Sequence, residues 1–124
     1  MSSIPTSEEM ARYRENLQRR EAEDQQALAR RKARAWGLAR RAAEVLKARF
    51  AATRVVVFGS LASEDRFHAR SDVDVAAWGI APDLTFRAIG QLLCLDSEIE
   101  INLVDVNTCR PPVLRLIERE GVEL

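Results

Sequence analysis

The sequence has 124 residues, of which 47% are hydrophobic, and this is typical of one globular domain with a modest core. Lysine plus arginine and aspartate plus glutamate both number 19, so the overall charge indicates neither a nucleic-acid nor a membrane partner. No run of about 18 apolar residues is present, and the N-terminus lacks the features of a secretion signal. We therefore expect a cytoplasmic protein without a membrane span. Cys94 and Cys109 fit no zinc-binding pattern, and we expect two reduced thiols.

The N-terminal region is predicted to be helical. It begins at Thr6–Glu9, where two hydroxyl residues precede two acids, and it contains no glycine or proline up to Trp36. Apolar residues at helical spacing are few and form a narrow stripe of Met10, Tyr13 and Leu17. Such a helix would be roughly 40 Å long. We expect it to protrude and to pack in part on another chain.

Gly37 permits a break, and the sequence leaves open whether the helical region is one rod or two. Beyond it, apolar residues recur with helical period at Leu38, Ala42, Val45, Leu46 and Phe50. We therefore predict two units, a helical extension over residues 1–37 and a folded domain over residues 38–124.

The rest of the chain alternates strands and helices. The β-branched run 54–58 predicts a strand buried on both faces, and the chain turns directly after it at Gly59-Ser60. The later segments are predicted as a strand at 72–77, a helix at 82–95, a strand at 98–106 and a helix at 112–120 that Gly121 stops. The predicted fold class is α/β, in the wider sense that includes α+β.

Two aspartates in the second predicted strand carry the clearest chemical signal. Asp72 and Asp74 are two positions apart, so both carboxylates leave the same face of the strand. Magnesium suits such a pair, because it takes one or two protein carboxylates and completes its shell with water and substrate phosphates.

The Gly59-Ser60 turn is a candidate phosphate-binding site. Glycine lets the backbone approach a phosphate closely, and Ser60 adds a hydroxyl. A Gly-Ser turn or an Asp-x-Asp pair alone is more often structural than functional. Their combination favours function, because two like charges on one face repel unless a cation lies between them. The sequence therefore predicts a site for a magnesium nucleotide.

Two stretches also carry a family resemblance. Residues 57–62, VFGSLA, and residues 70–75, RSDVDV, resemble the paired signature of the minimal nucleotidyltransferases, the MNT branch of the DNA polymerase β-like superfamily. The resemblance covers about residues 40–124. It implies a nucleotidyltransferase fold, with a small mixed sheet flanked by helices, that transfers AMP from magnesium-bound ATP to a hydroxyl. It also implies the site residues, with catalytic and magnesium-binding roles for Asp72 and Asp74 and nucleotide contacts at Gly59, Ser60 and Ser71.

The resemblance also implies a partner. Many members of the family are antitoxins paired with an all-helical HEPN ribonuclease toxin, which they neutralise by forming a complex or by adenylylating a toxin tyrosine. We therefore expect a helical HEPN-type toxin and a nucleotide as partners. A second copy of the chain, joined through the N-terminal helix, is a further expectation.

The chain departs from the family pattern at its third carboxylate. With residues 101–105 aligned on the family sequence Val-Asp-Leu-Val-Asp, the carboxylate position is occupied by Asn102. An amide binds magnesium weakly and cannot act as a base. Glu100 lies on the same face of the predicted strand and is the candidate substitute. In addition, the connection before Asp72 is one residue longer than usual, and Ser63-Glu64 replaces a common Arg-Gly.

Three functions remain open from the sequence. The first is an MNT-type antitoxin that binds ATP and magnesium. The second is a catalytically inactive module that neutralises its partner by burial alone, which Asn102 favours. The third is a free-standing nucleotidyltransferase that acts on a small molecule or a tRNA end. The arginine-rich helix also suggests RNA, but its many glutamates and alanines favour a solvated charged face, so nucleic acid is not an expected partner.

Overall fold

The computed structural model describes residues 4–124 as three α-helices and a four-stranded mixed sheet. This confirms the predicted fold class. In chain order the elements are α1 (Ser7–Phe50), β1 (Arg54–Phe58), a 3-10 turn (Gly59–Ala62), β2 (Val73–Trp78), a second 3-10 turn (Pro82–Leu84), α2 (Thr85–Leu93), β3 (Ile101–Asp105), α3 (Pro111–Glu120) and β4 (Val122–Glu123).

The sheet has the strand order β3-β2-β1-β4. β1 is antiparallel to β2 and to β4, while β2 and β3 are parallel. Both faces of β1 are buried because its alternate residues pack into two different clusters. Val55 and Val57 face α1 and α2, whereas Val56 and Phe58 face α3. The prediction of a doubly buried strand is therefore confirmed.

The helix α1 is one continuous rod of 44 residues. Its predicted start is confirmed, since the Thr6 hydroxyl accepts a hydrogen bond from the backbone N–H of Glu9 at 3.1 Å. The break that Gly37 permits does not occur. Ala35 and Leu38, on either side of it, are both buried in the core, and this packing keeps the chain helical through the glycine. The helix thus runs through the predicted boundary at residue 37.

The exposed part of α1 extends over residues 7–27, where every residue is solvent-exposed. Its apolar stripe of Met10, Tyr13 and Leu17 has no contact with the core. Within residues 4–124, none of the helices combines the length and the apolar character needed to cross a lipid bilayer.

The starts of two strands differ from the prediction, and a further strand was missed. β2 begins at Val73 rather than at residue 72. β3 begins at Ile101 rather than at residue 98, because the Asp96 side chain accepts hydrogen bonds from the backbone N–H groups of Glu98 and Ile99 and bends the chain there. These two N–H groups also hold the pKa of the Asp96 carboxyl at about 2. The short edge strand β4 was not predicted at all.

Gly121 ends α3, as predicted. Glycine is needed there because a side chain would not fit, and not because of the backbone conformation. Its φ of −71° is open to any residue. A Cβ at this position would overlap the carbonyl oxygen of Ile117 and a methyl group of Val56. The glycine therefore lets the chain pass close to β1 and continue into β4.

Replacing Gly121 by alanine is expected to lower the free energy of unfolding by about 1–3 kcal/mol, because the added methyl overfills a packed site. Gly37→Ala is the matched control, since its Cβ has no atom within 4 Å, and in a continuous helix it should stabilise by about 0.5–1 kcal/mol. Urea denaturation monitored by circular dichroism measures both changes. Equal effects of the two substitutions would contradict this packing.

Candidate functional site

The Gly59 turn lies directly against the Asp74 carboxylate. Phe58, the last residue of β1, is paired with Asp74 of β2, so the turn that follows passes over the Asp74 side chain. Gly59 has a φ of +74°, and a Cβ there would lie 2.5 Å from the Asp74 Oδ2. Both the conformation and the space therefore demand glycine. The structure thus brings together the turn and the Asp-x-Asp pair that the sequence singled out.

Asp72 and Asp74 form an electrostatically strained pair. Both are partly buried, and Asp72 lies two positions before Asp74, directly before β2, which places both side chains on the same face. Burial raises the pKa of the Asp74 carboxyl above its ordinary value. The Asn102 amide opposes this shift through a hydrogen bond, and the negative charge of Asp72 adds to it. A bound cation would relieve both the burial cost and the repulsion.

Asn102 occupies the place next to Asp74 on the neighbouring strand. The parallel register pairs the two residues, and the Asn102 Nδ2 donates a hydrogen bond to the Asp74 Oδ1 at 3.2 Å. Among residues 4–124, no three or more histidines, cysteines or acids are grouped so as to hold a metal ion. The site therefore contains two carboxylates and one amide.

Glu100 is exposed and lies just before β3 rather than within it. Its backbone carbonyl accepts a hydrogen bond from Val73 at 2.9 Å, which places its backbone beside that of Asp72. Its side chain does not complete a metal-binding group with the two aspartates. A catalytic role for Glu100 stays a prediction.

Ser71 holds the loop before Asp72 in place through hydrogen bonds. The residue is buried, with 5% of its surface exposed to solvent. The Ser71 hydroxyl accepts a hydrogen bond from the backbone N–H of His68 at 2.9 Å, and the Ser71 N–H donates to the His68 carbonyl at 3.0 Å. A nucleotide contact by Ser71 stays a prediction. Ser60, in the turn after β1, is partly exposed, and its carbonyl accepts from the N–H of Ser63.

Arg31 is a residue of this region that the sequence did not indicate. Its Nη2 donates a hydrogen bond to the Ser71 carbonyl at 2.9 Å, so α1 is tied to the residue before Asp72. The sequence placed Arg31 on a solvated charged face. Its only local signal is its position three residues after Leu28, which packs against the core.

Comparison with known proteins shows the fold. A scan against protein-family models gives no match, and a search of curated proteins gives no significant one. Among solved structures, the chain is similar to two mutants of the toxin-antitoxin complex MntA-HpeT, one with a tyrosine changed to alanine and one with two aspartates changed to glutamate. The TM-scores are 0.57 and 0.55 at 16% identity, over 68% of this chain and 69% of the other.

A third similar structure is a protein of Sulfolobus solfataricus proposed to be a nucleotidyltransferase. Its TM-score is 0.52 at 19% identity, over 78% of this chain and 85% of the other. Identities this low support a statement about architecture alone. The chain has the nucleotidyltransferase fold, as its sequence motifs predicted.

Removing the Arg31 guanidinium is expected to loosen the loop before Asp72. In Arg31→Met, amide hydrogen exchange of residues 67–74 should accelerate roughly tenfold or more, because a hydrogen bond from a charged group is lost. Arg34→Met is the matched control, since Arg34 pairs instead with Asp96 and Glu98. It should accelerate exchange around residues 96–100 only. If amide hydrogen exchange of residues 67–74 is unchanged in Arg31→Met, the hydrogen bond from Arg31 does not stabilise this loop.

Asp74→Asn is expected to stabilise the metal-free protein at neutral pH. Because the folded-state pKa of Asp74 is raised, its contribution to stability is present at low pH and is lost as pH rises through that pKa. Asparagine stays neutral throughout. The difference in free energy of unfolding between variant and wild type should therefore grow from pH 3 to pH 7, measured by urea denaturation in a chelating buffer. A difference that shrinks with pH would contradict the raised pKa.

Proposed function

We propose that this chain is an MNT-type antitoxin that binds a helical ribonuclease toxin and holds a magnesium-bound nucleotide at the Gly59 turn. Nucleotide binding is supported by one observation: the Asp74 carboxylate lies against Gly59, and Asp72 lies on the same face of the sheet. The two complexes similar in fold are toxin-antitoxin complexes, and this supports the partner part. The aspartates mutated in one of them are two positions apart, the spacing found here between Asp72 and Asp74.

The donor set fits magnesium. Asp72 and Asp74 supply two hard oxygen ligands, and phosphates and water supply the rest of an octahedral shell. The glycine at position 59 lets the turn lie against the Asp74 carboxylate, so a cation bound there would be next to the turn, and Ser60 supplies a hydroxyl on the same turn. When bound, magnesium ATP would supply an activated AMP group for transfer to a hydroxyl, in this proposal that of a toxin tyrosine, with release of pyrophosphate and of the hydroxyl proton.

Asn102 limits what this site does chemically. Its amide holds Asp74 in place through the hydrogen bond to Oδ1, but it cannot accept a proton from an attacking hydroxyl. We therefore propose that nucleotide binding is retained and that AMP transfer is slow or absent. This favours neutralisation by complex formation and keeps an inactive interaction module as the second candidate.

A second copy of this chain is proposed as a further partner, bound to the exposed segment 7–27 of α1. Its apolar stripe of Met10, Tyr13 and Leu17 is the part of that segment suited to packing. The oligomeric state of the pure protein, measured by light scattering, tests this contact.

Magnesium ATP is expected to raise the melting temperature of the wild-type protein, because it binds only the folded state. Asp72→Asn and Asp74→Asn should lose this increase, and Glu100→Gln should keep it. Asn102→Asp should bind magnesium more tightly and should transfer AMP from labelled ATP faster than the wild type. An increase that survives in both aspartate variants would sink the proposed site.

The toxin part is tested by coexpression with the product of the adjacent reading frame, which the proposal expects to be an all-helical protein. The two chains should copurify, and they should still do so when Asp74→Asn has removed nucleotide binding. A complex that forms only with the wild-type site would contradict neutralisation by burial.

A further inference from the structure

A basic groove lies between α1 and α2, away from the candidate site. It has a volume of about 630 Å³ and is lined by three arginines and no acidic side chain. The arginines come from both helices, and Val45, Gln91 and Leu95 form part of the lining between them, beside Arg41, Arg49 and Arg87. We call this surface the basic groove.

The positive charge of the basic groove is not compensated within the described part of the chain. Arg34, Arg54 and Arg66 each form an ion pair with a carboxylate. None of the groove arginines does so among residues 4–124, and Arg49 donates only to the neutral Gln91 Oε1 at 3.3 Å. Three cations held close together without counter-charges suit an acidic partner.

An apolar strip adjoins the basic groove on α2. Phe86 is 86% exposed and Leu93 is 45% exposed, and helical spacing places both on one side of α2. Gly90 lies between them, with no atom within 4 Å of the place of a Cβ, so the surface between the two apolar side chains is open. An aromatic ring exposed to this extent next to uncompensated arginines is typical of an interface.

The groove and the candidate nucleotide site lie on opposite faces of the sheet. α1 and α2 cover the face that carries Val73 and Val75, whereas Asp74 points to the other face, which α3 covers. A partner bound to the groove would therefore leave the Gly59 turn uncovered.

We infer that the basic groove and the apolar strip together bind an acidic amphipathic helix of a partner protein. A groove between two helices fits a third helix, which would place apolar side chains on Phe86 and Leu93 and carboxylates near Arg41 and Arg87. RNA fits less well, because the exposed Phe86 and Leu93 beside the arginines match the apolar face of a helix rather than a phosphate backbone. The inference deepens the proposed function by naming the face and the chemistry of the partner.

Synthetic helical peptides test this inference without the natural partner. One peptide of about 20 residues carries a leucine face flanked by glutamates, and its twin carries lysine at each glutamate. Fluorescence anisotropy should show binding of the acidic peptide alone. Arg87→Glu and Phe86→Ser should each weaken it by about tenfold or more. Arg115→Glu, the same charge change at an exposed position of α3, should leave it unchanged.

Four results would overturn the inference. They are no binding of the acidic peptide, equal binding of the lysine twin, no effect of Arg87→Glu and Phe86→Ser, or binding of a single-stranded RNA that the same substitutions abolish. Both variants should keep the melting-temperature increase with magnesium ATP, which shows that they fold. If magnesium ATP does not raise the melting temperature of the wild-type protein, this result counts against the proposed nucleotide site. It does not affect the conclusion from the peptide experiment.

Discussion

The contact between the Asp74 carboxylate and the backbone of Gly59 is the constraint on which the site depends. A partly buried carboxylate costs free energy, and a second one on the same face adds repulsion. The fold keeps this cost because β1 and β2 are paired in a register that places the turn over the acid, and only glycine fits there. Binding of a divalent cation would explain why two carboxylates are kept close together beside the Gly59 turn. Core packing does not explain it.

Asn102 limits both metal binding and proton transfer at the candidate site. It lies where a third carboxylate would strengthen metal binding and supply a base, and it donates a hydrogen bond to Asp74 instead. The amide lowers the cost of the metal-free state because its hydrogen bond stabilises the ionised Asp74 carboxylate. In the proposed function the chain acts by binding its partner, and that action does not require a stronger metal site. The division of the sheet supports this view, with the two carboxylates on one face and the basic groove on the other.

Local patterns predicted much of this architecture. The β-branched run of β1, the glycine turn and the spacing of Asp72 and Asp74 each depend on neighbouring residues only, and the structure brings them together as expected. Features set by side-chain hydrogen bonds or by contacts between distant residues were not predicted. The start of β3 depends on the Asp96 turn, β4 pairs through only two residues, and Arg31 reaches a carbonyl 40 positions away. Gly37 stays helical because core packing on both sides outweighs its propensity.

The most direct test of the account is a crystal structure grown with manganese and a non-hydrolysable ATP analogue, with the metal located by its anomalous scattering. The account predicts a single strong peak bound by both Asp72 and Asp74, with phosphate oxygens of the analogue next to Gly59 and with the Asn102 amide outside the inner coordination shell. A metal bound elsewhere, or a nucleotide that makes no contact with the Gly59 turn, would contradict it.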